Sequence, residues 1–239
     1  MNLSIIKKNI AKFTNLKYIT NTFLYNKLNN YANISYSQEG EDRILFSLLG
    51  LKRKGFYIDV GANHPQRFSN TFLFYNLGWH GINIDANNEV IVIFNKIRPN
   101  DLNISCGVGL KEEVREFIVF NESAISTFVK KQAQNIKEKN YFTVKETRQI
   151  EIKKLSTILR QYLKPKQVID FMSIDVEGMD FEVIQSNDWK VYRPSILLIE
   201  IYGIKNFNQI LKSKITQYLK KYKYEPIAKT PNTIFFRAL

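Results

Sequence analysis

Cysteine is almost absent from this sequence, since Cys106 is the single one among 239 residues. A disulfide framework and a zinc module built from several cysteines are therefore excluded, and a reducing compartment is indicated. Long apolar runs are absent too, because none reaches the roughly 18 residues that a membrane span requires. Lysines interrupt the apolar residues at the start of the chain before a signal-peptide core can form. We expect a soluble, cytoplasmic protein.

The chain contains enough apolar residues to bury a core. Hydrophobic residues make up 44% of it and aromatic residues 13%, which excludes intrinsic disorder. The length of 239 residues suits one sizeable domain and is too short for two ordinary domains with a linker. We expect residues 35–239 to form that domain and residues 1–34 to form a basic helical extension.

The formal net charge is +13, and the excess of basic residues lies at the two ends of the chain. Residues 1–34 carry about five positive charges and residues 205–229 about six, so the middle is close to neutral. We interpret these ends as solvated faces, or as contacts for an acidic glycan, an anionic membrane surface, a glycosyltransferase partner or a second copy of the chain. Specific nucleic-acid binding is not expected.

From residue 55 onward, short β-rich runs alternate with helical patterns. This alternation predicts an α/β fold in which a mostly parallel sheet has helices on both faces. An inserted antiparallel pair and a C-terminal antiparallel hairpin complete the prediction. The predicted strands are 55–60, 81–85, 103–108, 114–120, 146–152, 168–176, 195–202, 224–228 and 233–236, and one long helix is predicted over 207–222.

The loop after the first predicted strand carries Asp59, Gly61 and His64. A dinucleotide fingerprint needs three glycines there, and Asp59 would repel a pyrophosphate. The same acid suits a cofactor with positive charge, such as S-adenosylmethionine with its ammonium and sulfonium. Asp85 ends the next strand, where an acid accepts both ribose hydroxyls. Each acid alone is equally consistent with a turn, but together they favour an adenosine cofactor without a diphosphate.

Six segments occur in a fixed order, namely 36–42 (YSQEGED), 56–65 (FYIDVGANHP), 69–71 (SNT), 78–85 (GWHGINID), 173–178 (SIDVEG) and 198–200 (LIE). Together they resemble the FkbM family of S-adenosylmethionine-dependent methyltransferases over about residues 35–203. The resemblance implies a class I methyltransferase (Rossmann-like) fold and methyl transfer, usually to an oxygen. Sugar and polyketide hydroxyls are frequent acceptors in that family. Asp85 stands where many relatives have Glu, which leaves its ribose role in place.

The resemblance also implies roles for individual side chains. Gln38, Asp59, Gly61, Asn63 and Asp175 are expected near the methionine part of the cofactor. Asp85 and Ala86 are expected at the ribose, and Cys106, Gly107 and Val108 at the adenine. Two alternatives stay open: Gln38 belongs to a helix N-terminus capped by Ser37, and Cys106 is only a small buried side chain.

Carboxylates follow two further predicted strands, with Asp175 and Glu177 after one and Glu200 near the end of the other. Two carboxylates about 4 Å apart repel by roughly 4 kcal/mol at an effective dielectric constant near 20. Such a pair either shares a proton or binds a cation. We predict a divalent metal (Mn, Fe or Mg) held by His64, Asp175 and Glu200, which would acidify an acceptor hydroxyl.

The predicted activity is therefore O-methylation of a hydroxyl of a sugar, glycan or sugar nucleotide, assisted by a metal. A metal-independent enzyme with Glu177 or His64 as base is the alternative, with Asp175 as the further catalytic carboxylate. These acids also have purely structural explanations. Carboxylates such as Asp175 and Glu177 are favoured at the start of a helix, and Glu200 would form an ion pair with Arg193 or Lys205.

Four side chains are predicted to contact the acceptor. Ser69 and Asn70 lie beneath the first loop, and Ser126 and Thr127 lie on the inserted pair. A nucleic-acid methyltransferase is less favoured, since a carboxylate segment, Asp175–Gly178, replaces the aromatic platform that would stack a flipped base. A non-catalytic module that binds the cofactor is the remaining alternative.

Overall fold

The computed structural model describes residues 33–50, 54–139, 141–203 and 206–239. The expected helical extension therefore lies almost entirely outside the described residues, while Ser35–Leu239 form one compact unit. No helix in the described part of the chain has the length and apolar character needed to cross a membrane.

Ten strands are found in the described residues. They are β1 Phe56–Val60, β2 His80–Asp85, β3 Leu102–Ser105, β4 Gly107–Val108, β5 Glu113–Phe120, β6 Val144–Lys153, β7 Phe171–Ile174, β8 Ile196–Glu200, β9 Tyr224–Lys229 and β10 Thr233–Ala238. Seven of them form the main sheet in the order β3-β2-β1-β7-β8-β10-β9. The first five in this order run parallel, so their carboxyl ends share one edge.

The α-helices of the described residues flank these strands. They are α1 Glu41–Leu49, α2 Phe72–Asn76, α3 Asn88–Ile97, α4 Lys130–Glu138, α5 Leu155–Tyr162, α6 Asp180–Ser186, α7 Phe207–Lys212 and α8 Lys214–Lys220. Asn87 caps α3 by accepting a hydrogen bond from the Glu89 backbone N–H at 3.1 Å. The single helix predicted over 207–222 is wrong, because Ser213 is extended and caps a second helix there.

Alternate residues of the central strands enter two apolar clusters, one on each face of the sheet. Ile58, Met172 and Leu197 pack in one cluster, while Tyr57 and Phe171 pack in the other. All five residues of β1 are buried, as expected for a central parallel strand covered on both sides. The prediction of helices on both faces is therefore confirmed.

The C-terminal hairpin also follows the prediction. In it, β10 pairs antiparallel with both β8 and β9. Five parallel strands followed by this hairpin form the class I methyltransferase arrangement, so the predicted fold class is confirmed.

The strand predicted over 103–108 is divided in two, which is a correction. It leaves the main sheet at Cys106, and β4 then pairs with β6 in a separate three-stranded sheet of order β4-β6-β5. The crossing is crowded, because a Cβ on Gly107 would lie 2.3 Å from the side chain of Ile152. The inserted antiparallel pair predicted around 114–120 and 146–152 is the pairing of β5 with β6.

Candidate functional site

Two adjacent cavities open at the carboxyl edge of the main sheet. The first, named here the carboxylate cavity, is lined by six acids: Glu39, Glu41, Asp59, Asp175, Glu177 and Glu200. The second is named the apolar cavity. Its apolar lining comprises Val60, Ile84, Ala86, Val90, Cys106, Val108, Phe117, Ala124, Phe128, Val176 and Met179. Both cavities are bordered by Gly61, Asn63, Ala124, Asp175 and Glu177, which form their junction.

A glycine brings the first loop against the loop after β7. Gly61 has a φ of +82°, and a Cβ there would lie 1.7 Å from the carbonyl oxygen of Asp175. A residue with a side chain at position 61 would collide with the Asp175 carbonyl unless the backbone moved. The glycine therefore allows the ends of β1 and β7 to meet at the junction of the cavities.

Asn63 ties three elements together around the junction. Its backbone N–H donates to Asp85 Oδ2 at 2.8 Å, and its side-chain Oδ1 accepts from Ser123 Oγ at 2.8 Å. Ser123 begins a 3₁₀ turn, Ser123–Ile125, which places Ala124 between the two cavities. The inserted segment thus contributes to the wall of both cavities.

Asp85 is the carboxylate at the end of β2 and lines the apolar cavity. One oxygen accepts the Asn63 N–H, and the other accepts the Asn87 N–H at 2.7 Å. Burial raises its pKa to about 6, although these two hydrogen bonds oppose the shift. Each carboxylate oxygen retains further acceptor capacity, so Asp85 can still accept two hydroxyl groups.

Asp59 is held from the opposite side by a buried arginine network. Its Oδ2 accepts from Thr71 Oγ1 at 2.8 Å, and that hydroxyl accepts from Arg98 Nη1 at 2.7 Å. Burial raises the pKa of Asp59 to about 6, and Arg98 partly counters this effect. Asp59 thus presents a fixed acid to the carboxylate cavity.

Three acids converge at the inner end of the carboxylate cavity. One oxygen each from Asp175, Glu177 and Glu200 lies within 4.8 Å of the others. Asp175 Oδ1 and Glu200 Oε2 are enclosed and have no hydrogen-bond partner in the described residues. Three carboxylates, two of which have an unpartnered buried oxygen, form a donor set that a hard divalent cation accepts. We call Asp175, Glu177 and Glu200 the carboxylate triad.

The triad acids have raised pKa values, as burial and mutual repulsion require. Burial, followed by the charge of Glu200, raises the pKa of Asp175 well above its ordinary value. Burial raises the pKa of Glu200 to about 7. Burial, followed by the charge of Asp175, raises the pKa of Glu177 to about 8. The triad is thus a place where either protons or a cation offset negative charge.

The loop that carries Glu177 is held in a left-handed conformation, with φ of +51°. Its carbonyl oxygen accepts from Thr127 Oγ1 at 2.8 Å, and its Oε2 accepts from Gln132 Nε2 at 2.7 Å. The inserted segment therefore fixes both the backbone and the carboxylate of Glu177.

All ten residues predicted to contact the cofactor line one or both cavities: Gln38, Asp59, Gly61, Asn63, Asp85, Ala86, Cys106, Gly107, Val108 and Asp175. The predicted metal ligands are brought together only in part. Asp175 and Glu200 meet, but Glu177 takes the third place that was predicted for His64. His64 lines neither cavity, and its Nδ1 accepts the Gln66 and Arg67 backbone N–H groups at 3.1 and 3.0 Å.

The four predicted acceptor contacts divide in a similar way. Asn70 lines the carboxylate cavity, whereas Ser126 lines the apolar one. Ser69 is buried and its Oγ accepts from Phe72 N–H and from Arg98. Thr127 is buried as well, and its hydroxyl is engaged by the Glu177 carbonyl. Asn70 is therefore the one of the four that the structure places at the acid-lined cavity.

Sequence reasoning missed the arginine behind the first loop. Arg98 is fully buried, and its guanidinium donates to the Pro65 carbonyl, the Ser69 hydroxyl and Thr71 Oγ1. Its Nη1 also lies 3.8 Å from Asp101. No motif marks Arg98, although an arginine just before a proline at a helix end is a weak signal for a cap.

The outer wall of the carboxylate cavity was missed too. The Glu39 carboxylate accepts from Asn232 N–H at 2.9 Å, from Asn232 Nδ2 at 2.7 Å and from Thr230 Oγ1 at 2.7 Å. Glu41 Oε1 accepts from Thr230 and Thr233 hydroxyls at 3.1 Å. These bonds fasten Glu39 and the first residue of α1 to the turn between β9 and β10 and to the first residue of β10. Only the folded sheet brings these distant segments together.

Comparison with known proteins adds to this geometry. Among curated proteins, none matches the chain. It is similar to the solved structure of a TehB-like SAM-dependent methyltransferase from Corynebacterium glutamicum, at 11% identity and a TM-score of 0.42 over 100% of both chains. It is also similar to a precorrin-6y C5,15-methyltransferase from Geobacter metallireducens, at 11% identity and a TM-score of 0.43, covering 82% of this chain and 84% of that one.

The family model described as the methyltransferase FkbM domain matches residues 59–226. This range covers well over half of the chain and includes the first loop, Asp85, the inserted sheet and the carboxylate triad. The chain belongs to the FkbM-domain family of S-adenosylmethionine-dependent methyltransferases.

Proposed function

We propose that this methyltransferase transfers the methyl group to a hydroxyl of a sugar, a glycan or a sugar nucleotide, with a divalent cation at the carboxylate triad. The observation that carries the proposal is that two acids of the triad, Asp175 and Glu177, border both cavities, with Glu200 beside them in the carboxylate cavity. A donor that spans the two cavities and an acceptor in the rest of the carboxylate cavity would meet there. Alcohols are weak acids, so their methylation needs a base or a cation at that point.

The donor is assigned to both cavities. Its adenosine part suits the apolar cavity, where Asp85 accepts from the ribose hydroxyls and Ala86 packs beside them. Cys106, Gly107 and Val108 line the wall against which the adenine would pack. The methionine ammonium suits the acids of the carboxylate cavity, with Asp59 on one side and Gln38 on the other. Negative side chains also suit the sulfonium at the junction.

The acceptor is assigned to the rest of the carboxylate cavity, beside Asn70. Methyl transfer is an in-line displacement, so these residues act by aligning the hydroxyl with the donor methyl. The unpartnered oxygens of Asp175 and Glu200 can accept the hydroxyl proton or orient it. A divalent cation held by Asp175, Glu177 and Glu200 would supply a Lewis acid that lowers the pKa of the acceptor hydroxyl.

The metal-free alternative has two candidate bases, His64 and Glu177, of which the geometry favours Glu177. His64 Nδ1 accepts two backbone N–H groups, so the ring proton is on Nε2 and the ring has no free nitrogen to accept a proton. Glu177 is the remaining base, and its pKa near 8 makes it an effective acceptor only when it is ionised.

Chelation separates the two mechanisms. Protein treated with EDTA and then desalted should lose methyl transfer, and Mn²⁺ or Mg²⁺ should restore it, while binding of S-adenosylhomocysteine (SAH) measured by calorimetry changes little. Full activity after chelation would withdraw the metal and assign the proton to Glu177. Transfer from a donor with a ¹³C-labelled methyl group, followed by NMR of the product, tests the atom methylated. An N-methyl or C-methyl signal would contradict the proposal of O-methylation.

The proposed partners of the basic ends remain predictions. Lys212, Lys214 and Lys220 are exposed on α7 and α8, as a solvated or partner-binding basic face requires. Contacts with an anionic membrane or a glycosyltransferase, a homodimer and a cytoplasmic location are all compatible with this arrangement. A vesicle co-sedimentation assay with phosphatidylglycerol would test the membrane contact, and lack of binding would remove it.

A further inference from the structure

We propose that the acceptor ring which enters the carboxylate cavity carries no negative charge, so that it is a neutral sugar ring and not a phosphorylated, nucleotide-linked or acidic one. This inference rests on the proposed function and selects one of its acceptor classes. It follows from the charges and the aromatic side chains that line the cavity.

The cavity has six acids and lacks a compensating cation in its described lining. Among the described residues that border it, none is Lys or Arg. This is the reverse of the whole chain, in which 35 basic residues outnumber 22 acids. A phosphate or carboxylate in this cavity would meet negative groups and no positive side chain, and like charges in a desolvated site are strongly unfavourable.

Bound cations do not reverse this charge. The ammonium, sulfonium and carboxylate of the donor sum to one positive charge, and a divalent ion adds two. Their total of three faces six carboxyl groups. The arginine next to the cavity is already engaged, since Arg67 Nη1 and Nη2 contact the Glu122 carboxylate at 3.3 and 2.8 Å. The described lining therefore offers an acceptor phosphate no positive side chain.

The same lining suits the groups of a neutral sugar. Hydroxyl groups donate to carboxylate oxygens, and such charge-assisted hydrogen bonds are the strong ones. Asn70 and Gln38 add amide groups that both donate and accept. The cavity thus offers many acceptors for O–H donors, which a polyhydroxylated ring supplies.

Two aromatic side chains complete the lining. Phe68 is 44% exposed and Tyr202 is 59% exposed, although both border the cavity. Phe68 has a φ of +56°, a conformation that a bulky side chain rarely adopts. Arg67 packs over the Phe68 ring, 4.4 Å from its centroid. Exposed aromatic faces beside hydrogen-bonding groups suit the alternating C–H and O–H surfaces of a sugar ring.

The test measures the charge of the methylated product. Full-length protein with Mn²⁺ and a donor carrying a radioactive methyl group is incubated with four acceptor sets. These are neutral methyl glycosides of common hexoses and deoxyhexoses, their 6-phosphates, the corresponding uronic acids and UDP-sugars. Anion-exchange chromatography then separates neutral from anionic products. We expect the label in the neutral fraction, with anionic acceptors used at a rate lower by at least roughly 30-fold.

Three outcomes have distinct meanings. Label in the phosphorylated, acidic or nucleotide fraction at a comparable rate would overturn the inference while leaving the O-methyltransferase proposal in place. No label in any fraction from a protein that binds SAH would overturn the sugar-acceptor proposal and the inference with it. Label in the neutral fraction alone supports both.

A charge-introducing variant sharpens the test. Asn70→Lys places a cation in the lining, so the preference for the neutral ring over its 6-phosphate should fall by about tenfold. Asn70→Gln is the matched control and should keep the preference of the parent protein. An unchanged preference in a folded Asn70→Lys protein that still binds SAH would count against charge exclusion. If Asn70→Lys does not fold, Gln38→Lys at the same cavity serves in its place.

Discussion

The two cavities lie side by side at one edge of one sheet and differ most in their charge. The apolar cavity has a single acid of its own, Asp85, whose two oxygens each accept a backbone N–H. The carboxylate cavity has six acids, and two carboxylate oxygens in it have no hydrogen-bond partner in the described residues. The apolar cavity holds one acid of its own with backbone hydrogen bonds, whereas the carboxylate cavity concentrates six acids, two of which, Asp175 and Glu200, keep an oxygen that a proton or a ligand can engage.

The acids of the two cavities differ in how far their pKa values are raised. Burial raises the pKa of Asp85 to about 6, whereas Glu177 reaches about 8 because neighbouring acids add to its burial. An unoccupied carboxylate cavity is therefore a source of instability that a cationic ligand relieves. We infer that the apolar cavity binds the adenosine part of the donor, and that the carboxylate cavity binds its methionine part and provides the chemistry.

The largest expected effect is a loss of turnover when an acid of the carboxylate triad is replaced. Glu200→Gln removes a charge and keeps the size of the side chain, so turnover should fall roughly 10²–10⁴-fold, the range for loss of a group that moves a proton or activates a hydroxyl. Affinity for SAH, measured by calorimetry, should change little, because Asp59 and Gln38, and not Glu200, are assigned to the methionine part of the donor.

The matched control for Glu200→Gln is Glu225→Gln, an exposed acid on β9. It should leave both turnover and SAH affinity as they are. Normal turnover in the Glu200→Gln protein would remove this residue from the site.

The second effect concerns the apolar cavity. Asp85→Ala removes the acceptor assigned to the ribose, so the dissociation constant of SAH should rise by roughly 10- to 100-fold, as expected for hydrogen bonds to a charged group. The acceptor KM at saturating donor should stay within about threefold, because Asp85 does not line the carboxylate cavity.

Asp85 also accepts from two backbone N–H groups, so its replacement needs a control for local folding. Asp85→Asn keeps one oxygen acceptor and should lose less affinity than Asp85→Ala. Thermal unfolding of all three proteins shows whether lost affinity is separate from lost stability. Equal SAH affinity in the parent and Asp85→Ala proteins would contradict the ribose assignment.

Much of the fold could be predicted because it depends on regular patterns. Apolar runs alternating with amphipathic segments indicate parallel strands with helical crossovers, and the strand ends then fall on one edge. The break at Ser213 could not be predicted, since the apolar spacing continues across it and only the backbone geometry ends the helix. The division at Cys106 depends on tertiary pairing of β4 with β6, which the local sequence does not carry.

The site could be predicted where it depends on strand ends and could not where it depends on loop conformation. Asp59, Asp85 and Glu200 lie in the last two positions of their strands and Asp175 directly follows β7, so topology alone places them at one edge. His64 lies four residues beyond the end of β1, and its ring turns to the Gln66 and Arg67 N–H groups. Arg98 has only a weak signal, because most of its partners, Pro65, Ser69 and Thr71, come from a loop about 30 residues earlier in the chain.

The third effect is a pH dependence of donor affinity. The pKa of Asp59 and of Asp85 is about 6 in the folded protein, against an ordinary value near 4. Donor binding needs the ionised forms, so SAH affinity should rise through pH 6 and level off above about pH 7. At pH 5 each of these acids is mostly protonated. The affinity for SAH should therefore be about tenfold lower for each acid that contacts the donor. Calorimetry between pH 5 and pH 8 measures this, and a flat profile would contradict the roles of both acids.

The stability of the ligand-free protein should fall as pH rises, which is opposite to the trend of SAH affinity. Between about pH 4 and pH 6 the folded protein holds protons on Asp59 and Asp85 that the unfolded chain has released. Its stability therefore decreases as pH rises through this window, and saturating SAH should reduce the decrease. Melting temperatures with and without SAH test the sign. Asp85→Asn should show a shallower slope than the parent protein in both measurements.

The smallest expected effect comes from the thiol of the apolar cavity. Cys106 is buried, and burial raises the pKa of its thiol to about 11, so at pH 7 it is a neutral, unreactive group. Cys106→Ala removes one sulfur from the wall and should weaken SAH binding by less than about threefold. Turnover should be unchanged, because a protonated thiol away from the triad moves no proton.

A thiol reagent at pH 7 should label the native protein slowly and the unfolded protein fast. Loss of turnover in Cys106→Ala with normal SAH affinity would show that the apolar cavity shares in the chemistry, and the division between the two cavities would then fail.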